Sequence, residues 1–350
     1  VQSIRAVMVL WALAGQLDVE GGRCFLGQGR SFPLATGEQL AGPGCETSIG
    51  KEIFPVYAHY CGGEPHASLL PKAIVEEDPY AIRALIVLGA SLQTAWPNPG
   101  LWQRALEKLD FLVSIDLQLT RDAAYADLVL PATTGFEQAS YCYYGNAIRY
   151  REQLSPPIGQ ARPGYQILTE LADRLGYGHL YPRHPDALLA YILSASDYTV
   201  EDLMMADRQV LSVQSAPMQY RKWELGLLRT DGQPGFDTPS GKFEIASSVL
   251  AQYGYNPLPV YQESDETPVS NPDLARRFPL ILGTGPFKPD MKSCLRAIPS
   301  FMKKYPYPAV EIHPHDADER GIHSGDVVII KTARGKAVSY THLTLPTTGS

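Results

Sequence analysis

"IDLQLTRDAAYADLVLPATTGFE", Ile115 to Glu137, places an acid directly after one apolar run and ends a second apolar run with a proline. The first run is FLVSI (Phe111–Ile115) and the second is LVL (Leu128–Leu130). Neither alternates polar with apolar, which is the pattern of strands buried on both faces. The span from Asp116 to Asp127 between them is about the minimum crossover for parallel strands. A third such run, ALIVL (Ala84–Leu88), lies upstream. Between it and FLVSI, Asn98 and Pro99 read as an N-cap and first helical residue, and Trp102, Leu106 and Leu109 share one helical face. Strand–helix–strand–helix–strand predicts an α/β domain with a parallel sheet.

Such sheets bind ligands beyond the carboxyl ends of their strands. Here the three ends read GASLQ, DLQLT and PATTG, which gather Gly89, Ser91, Asp116, Gln118, Thr120, Thr133 and Thr134 at one edge. Asp116 offers two acceptor oxygens to paired N–H donors or to a ribose hydroxyl. Capping the following short helix is the competing duty. The arrival of Gly89-Ala-Ser91 at the same edge favours ligand contact.

Composition narrows the class. A chain of 350 residues, 45% hydrophobic, has room for two or more packed domains. A net charge of −7 argues against a nucleic-acid partner, which needs a basic face. No apolar run approaches the ~20 residues that span a bilayer. The cysteines (Cys24, Cys45, Cys61, Cys142, Cys294) are scattered and form no C-x-x-C pair, so no zinc or iron–sulfur site is expected. G-x-G-x-x-G after a strand, G-x-x-x-x-G-K-[ST], H-E-x-x-H and G-x-S-x-G are all missing, which removes the usual NAD, P-loop, zinc-protease and α/β-hydrolase readings.

The N-terminal VQSIRAVMVLWALAG could pass for a signal peptide. Ile4, Val7, Trp11 and Ala14 recur at helical spacing and Gly15 suits a C′ stop, so a core helix is expected. A second helix, GYQILTELADRL (Gly164–Leu175), should cover the sheet with Ile167, Leu168, Leu171 and Leu175. FDTPSGKFEI (Phe236–Ile245) reads as a turn feeding an amphipathic strand. From Phe278 onward FPLILGTG, AVEIHP and DVVIIKT read as short strands of a β-rich domain, separated by turns at His323–Asp326 and Arg334-Gly335. HPHDADE (His313–Glu319) looks like a metal cluster, but Pro314 and Asp316 start a short surface helix more naturally. The loop TGPFKPDMKSCLR (Thr284–Arg296) gathers hydroxyls and cations that suit phosphate or an anionic heterocycle, or a solvated basic loop.

Taken in series, these segments resemble the C-terminal two-thirds of the large catalytic subunit of the molybdopterin oxidoreductases, the dimethyl-sulfoxide-reductase superfamily. DLQLTRDAAYADLVLPATTGFE resembles the family's D-x-x-x-T-x-T-A-x-x-A-D-x-V-L-P-x-x-x-x-x-E. AGQLDVEGG, VLGAS, TPSGKFE, TGPFKPDMKS and VEIHPHDADERGIHSGDVV follow the family's order from Val1 to about Val338. The look is nearest to the thiosulfate/polysulfide reductase, formate dehydrogenase and acetylene hydratase-like branches.

The resemblance implies a molybdopterin-guanine-dinucleotide-binding α/β domain over 1–180, with 145–155 contributing to an iron–sulfur domain. It implies a connecting region over 181–275 and a six-stranded double-psi β-barrel over 276–338, the chain being truncated at both ends. Residues 339–350 do not resemble the barrel's continuation and are expected to be a non-native tail. The cofactor implied is two molybdopterin guanine dinucleotides around one molybdenum or tungsten. Gly89 and Ser91 match the G-x-N-P loop, Ile115 and Asp116 the guanosine contacts with Thr120 beside them, and Gln138 a further dinucleotide contact. Thr284, Gly285, Lys292 and Ser293 match the loop that grips a pterin and its phosphates. The sequence departs from the pattern at Ser91, which lacks an amide, and at Lys292, which replaces a frequent His. The [4Fe–4S] cysteines and the protein's metal ligand would lie outside this chain, so its catalytic residue is not named and the chain alone is expected to be inactive.

The resemblance further implies an iron–sulfur electron-transfer subunit and a membrane-anchor subunit as partners, in the periplasm or cytoplasm of a prokaryote. The runner-up is a non-catalytic subunit like the large iron–sulfur subunit of respiratory complex I, against which TPSGK and the Thr284–Ser293 loop argue. A third reading is a metal-free nucleotide-binding module.

Overall fold

Asn98 accepts the Leu101 N–H at 3.2 Å, so the expected cap starts the helix that packs beside the sheet. The structure is a computed structural model and describes residues 2–25, 31–35, 48–61, 64–213, 218–283, 298–304 and 306–343. The chain divides into two compact units, Val1–Val260 and Tyr261–Ser350.

In the first unit, α1 (Gln2–Leu13), α2 (Pro55–Tyr60) and α3 (Leu70–Glu76) precede the sheet. β1 (Ala84–Leu88) leads through α4 (Leu92–Ala95) and α5 (Pro99–Lys108) to β2 (Phe111–Asp116), and β3 (Leu128–Pro131) follows. The three strands are parallel in the order β1-β2-β3. The second crossover holds only a 3-10 turn, Asp122–Tyr125, where a helix was expected; twelve residues leave no room for more. Trp102 and Leu106 of α5 pack with Val87, Leu92 and Leu112 into a closed core.

The opposite face is different. The predicted α6 (Gly164–Arg174) is present, but Thr169 is its one buried residue and Leu168 is exposed. Between it and the sheet runs a groove of about 930 Å³ lined by Ile86, Phe111, Val113 and Leu128. Helix α1 also forms as expected and stops at Gly15 (φ +69°), yet it is no core helix: none of its residues is buried. A helix this apolar needs neighbours on most sides, and the described residues cover it only in part, with Arg5 bonded to the Pro257 carbonyl and Arg23 over the Trp11 ring.

A second sheet orders β4 (Ser140–Tyr143), β5 (Ala147–Arg151) and β6 (Val210–Ser212) antiparallel. Ile148 and Tyr150 of β5 pack against α7 (Pro185–Leu193), α8 (Val200–Met205) and Phe32. Asp18 and Lys222, both buried, form an ion pair at 2.5 Å. The Asp18 carboxylate also accepts the Phe25 and Lys222 N–H groups, tying AGQLDVEGG to a segment about two hundred residues away in sequence. Burial pushes the Asp18 carboxyl up, but the bonds from Lys222 and Phe25 outweigh it and hold it below its ordinary value. No strand forms at Gly241–Ile245; Thr238 bonds the Lys242 carbonyl and closes a turn that leads to α9 (Ser248–Gln252).

The second unit contains α10 (Pro272–Arg277), α11 (Pro299–Lys304), β7 (Ala309–Ile312), α12 (Pro314–Asp318), β8 (Val327–Lys331) and β9 (Lys336–Leu343). Its strands form one sheet in the order β7-β9-β8. The run at Leu280–Leu282 is not a strand. Residues 339–343, expected from the sequence to belong to a non-native tail, are part of the central strand, where Ser339 and Thr341 are buried. Among the described residues no helix is long and apolar enough to cross a membrane.

Candidate functional site

The register of the parallel sheet decides which residues meet at its carboxyl edge. Leu88 pairs with Ile115 and Ile115 with Leu130, while Asp116 pairs with Pro131. Beyond these pairs the chain continues the ladder: the Gly89 N–H donates to the Ile115 carbonyl at 2.9 Å, and the Ala132 N–H to the Asp116 carbonyl at 3.0 Å. Gly89, Asp116 and Pro131 therefore stand side by side at the ends of adjacent strands, with Ala132 one residue beyond. Gly89 has φ +60°, and a Cβ built there would meet nothing within 4 Å, so open space lies over the strand tip.

Each expected residue can now be placed. Among the described residues the Asp116 carboxylate, half-buried, accepts only the N–H of Leu117 at 2.6 Å. It does not cap the turn that follows; Thr120 does, by accepting the Ala123 N–H at 3.2 Å. The competing duty for Asp116 thus falls to another residue, and most of its lone pairs remain available. Ile115 is buried, and its carbonyl holds Gly89; what it gives this edge is registration. Ser91, half-buried, stands at the start of α4 with extended backbone (φ −119°, ψ 91°) and makes no side-chain cap bond. Gln138 is half-buried on the link from β3 to β4. Thr284, Gly285, Lys292 and Ser293 lie outside the described residues.

The sequence reading missed two acids. Asp122, 1% exposed, sends both carboxylate oxygens to the start of α4, accepting the Leu92 N–H at 2.5 Å and the Gln93 N–H at 3.1 Å. A signal exists for it: Asp122 stands where the quoted family motif has its second threonine. Glu137 accepts the Thr134 N–H and hydroxyl at 2.7 and 2.8 Å and the Ile158 N–H at 2.8 Å. Those donors, Thr134 first, hold its carboxyl below the ordinary glutamate value and fix the loop after β3.

Two buried polar groups beside these loops find no partner among the described residues: the Thr133 hydroxyl and the whole Gln93 amide. Groups of that kind in a native fold signal a missing water or ligand. Open space, free acceptors and unmet polar groups on one edge fit the nucleotide end of a large cofactor. Elsewhere, His315, Asp316 and Glu319 bring one ligand atom each within 4.8 Å of one another, but they belong to an exposed acidic surface helix. Cys24, Cys61 and Cys142 are free.

A parallel α/β sheet with a polar carboxyl edge defines a ligand-binding class of domain. Comparison with known proteins makes this specific. The family described as Molybdopterin oxidoreductase matches residues 6–174, and the Molydopterin dinucleotide binding domain matches residues 280–345. The chain belongs to the molybdopterin oxidoreductase family. A probable oxidoreductase of Bacillus subtilis is 30% identical over 342 residues, covering 95% of this chain and 46% of that protein. Thiosulfate reductase of Salmonella typhimurium, its molybdopterin-containing subunit, is 27% identical, covering 95% and 46%. The solved structure of acetylene hydratase from Pelobacter acetylenicus superposes with a TM-score of 0.70 at 26% identity, covering 80% of this chain and 38% of that one. The chain spans less than half the length of these relatives, not the two-thirds its motifs suggest.

Proposed function

We propose that this chain is the cofactor-binding portion of a molybdenum or tungsten oxidoreductase, holding two molybdopterin guanine dinucleotides. The observation that carries the reading is the alignment of Gly89, Asp116 and Pro131 across one sheet edge, with open space over Gly89. In this reading Asp116 accepts the paired N–H donors of a guanine, Thr120 and Gln138 flank it, and Ser91 contributes a hydroxyl. Thr284, Gly285, Lys292 and Ser293 grip a pterin and its phosphates from the dinucleotide-binding domain at 280–345, which we take to be part of a six-stranded double-psi barrel. The bound group supplies a metal centre for two-electron redox or for oxygen- or sulfur-atom transfer. The chain's own task is to orient the dinucleotide and keep water from it. The proposal extends to a [4Fe–4S] cluster and the protein's metal ligand outside this chain, and to an iron–sulfur partner subunit with a membrane anchor. Relatives named for acetylene hydration and thiosulfate reduction support the cofactor and leave the substrate open.

Asp116→Ala in the full-length protein tests it. Guanine nucleotide and metal per purified chain should fall together by roughly tenfold, since a charge-assisted bidentate contact is lost. Unchanged loading of both would remove Asp116 from the site.

A further inference from the structure

We propose that Asp122 is a positioning residue: it caps α4 from the neighbouring loop and so releases the Ser91 hydroxyl for the ligand. The inference rests on the reading of this edge as a guanine-nucleotide site.

A serine in extended conformation just before a helix ordinarily accepts an N–H of the first turn with its own hydroxyl. Ser91 has that backbone geometry and makes no such bond. Two first-turn donors, the N–H groups of Leu92 and Gln93, are taken instead by the two oxygens of Asp122, thirty residues on in sequence. This is a substitution of one cap by another. A serine hydroxyl can serve the helix or a ligand; here the Leu92 and Gln93 N–H groups are already served by Asp122. Asp122 also joins the loop after β1 to the turn after β2, and the Gly89–Ile115 bond is a second tie between the same two strand ends. Two ties fix the loop carrying Ser91 relative to Asp116.

The buried carboxylate makes this junction stiff. At 1% exposure Asp122 cannot trade its two N–H donors for water, and no cation pairs with it among the described residues. Letting go would leave a buried charge unmet, a costly state. Gln93, in the turn that Asp122 holds, is 4% exposed with its amide unpartnered, an independent sign that the turn is built around something besides itself. Ser91 and the Gln93 amide then belong to one preorganised loop, set before the ligand arrives.

The test is a cycle of Ser91→Ala, Asp122→Asn and the double variant in the full-length protein, with Asp122→Ser as a second version should Asp122→Asn fail to fold. Guanine nucleotide released per chain on denaturation is measured beside the thermal midpoint of cofactor-free protein. Ser91→Ala alone should leave the midpoint unchanged. On the Asp122 variant, where Ser91 can resume capping, it should lower the midpoint by about 2 °C or more. Asp122→Asn should reduce nucleotide loading by about tenfold. A midpoint shift from Ser91→Ala equal in both backgrounds, or normal loading in Asp122→Asn, would overturn the proposal. If the parent protein carries no guanine nucleotide, the proposed function fails, and the midpoint cycle by itself decides whether Asp122 replaces Ser91 as the cap.

Discussion

The two faces of the parallel sheet are built from the same kinds of residue and meet different fates. On one, Val87 and Leu112 are sealed under Trp102 and Leu106. On the other, Ile86, Phe111 and Leu128 remain between 43% and 45% exposed beneath α6. Hydrophobicity in a strand therefore states a demand for cover; whether cover is present depends on elements elsewhere in the chain. The closed face gives the edge above it a rigid base, because β2 cannot shift without disturbing a close-packed core.

The difference is open to direct challenge. The largest effect should come from the closed face: Trp102→Ala should cost about 3–5 kcal/mol in denaturant unfolding, the transfer and cavity terms acting together. A loss below ~1 kcal/mol would mean this core is not the base of the fold. On the open face, Ile86→Ala should cost no more than about 1 kcal/mol, because much of the side chain is already in water. A cost equal to that of Trp102→Ala would show that the groove is filled in solution. The smallest effect concerns Glu137. Its carboxyl is held below the ordinary value, so its stabilisation is complete above the unfolded-state value and disappears as pH falls through the folded one. The unfolding midpoint of Glu137→Gln should thus lose part of the parent's fall on acidification, and identical acid limbs would rule Glu137 out as a contributor.

Much of the edge was legible because local rules reach it. Three apolar runs of strand length, an Asn-Pro helix start and the carboxyl-end rule locate Gly89, Ser91, Asp116 and Thr120 without coordinates. The division of labour among them was not legible. Asp116 and Thr120 are both plausible caps in sequence, and only the observed bonds assign capping to Thr120. Asp122 was passed over because its partners, Leu92 and Gln93, are remote in sequence and offer backbone N–H groups, which leave no trace in residue identity. The buried Asp18–Lys222 pair escaped because its two members lie about two hundred residues apart.

By itself the sequence determined the α/β class, the order of the strands along the chain, the helix start at Asn98 and the helix stop at Gly15, and the edge where a ligand would bind, since each follows from contacts within a few residues or from backbone sterics. Tertiary structure alone decided which sheet face is closed, why α1 is left unburied, and which carboxylate serves the fold and which is free. Those outcomes depend on burial and on hydrogen bonds between distant segments, and both are set only when the chain has packed.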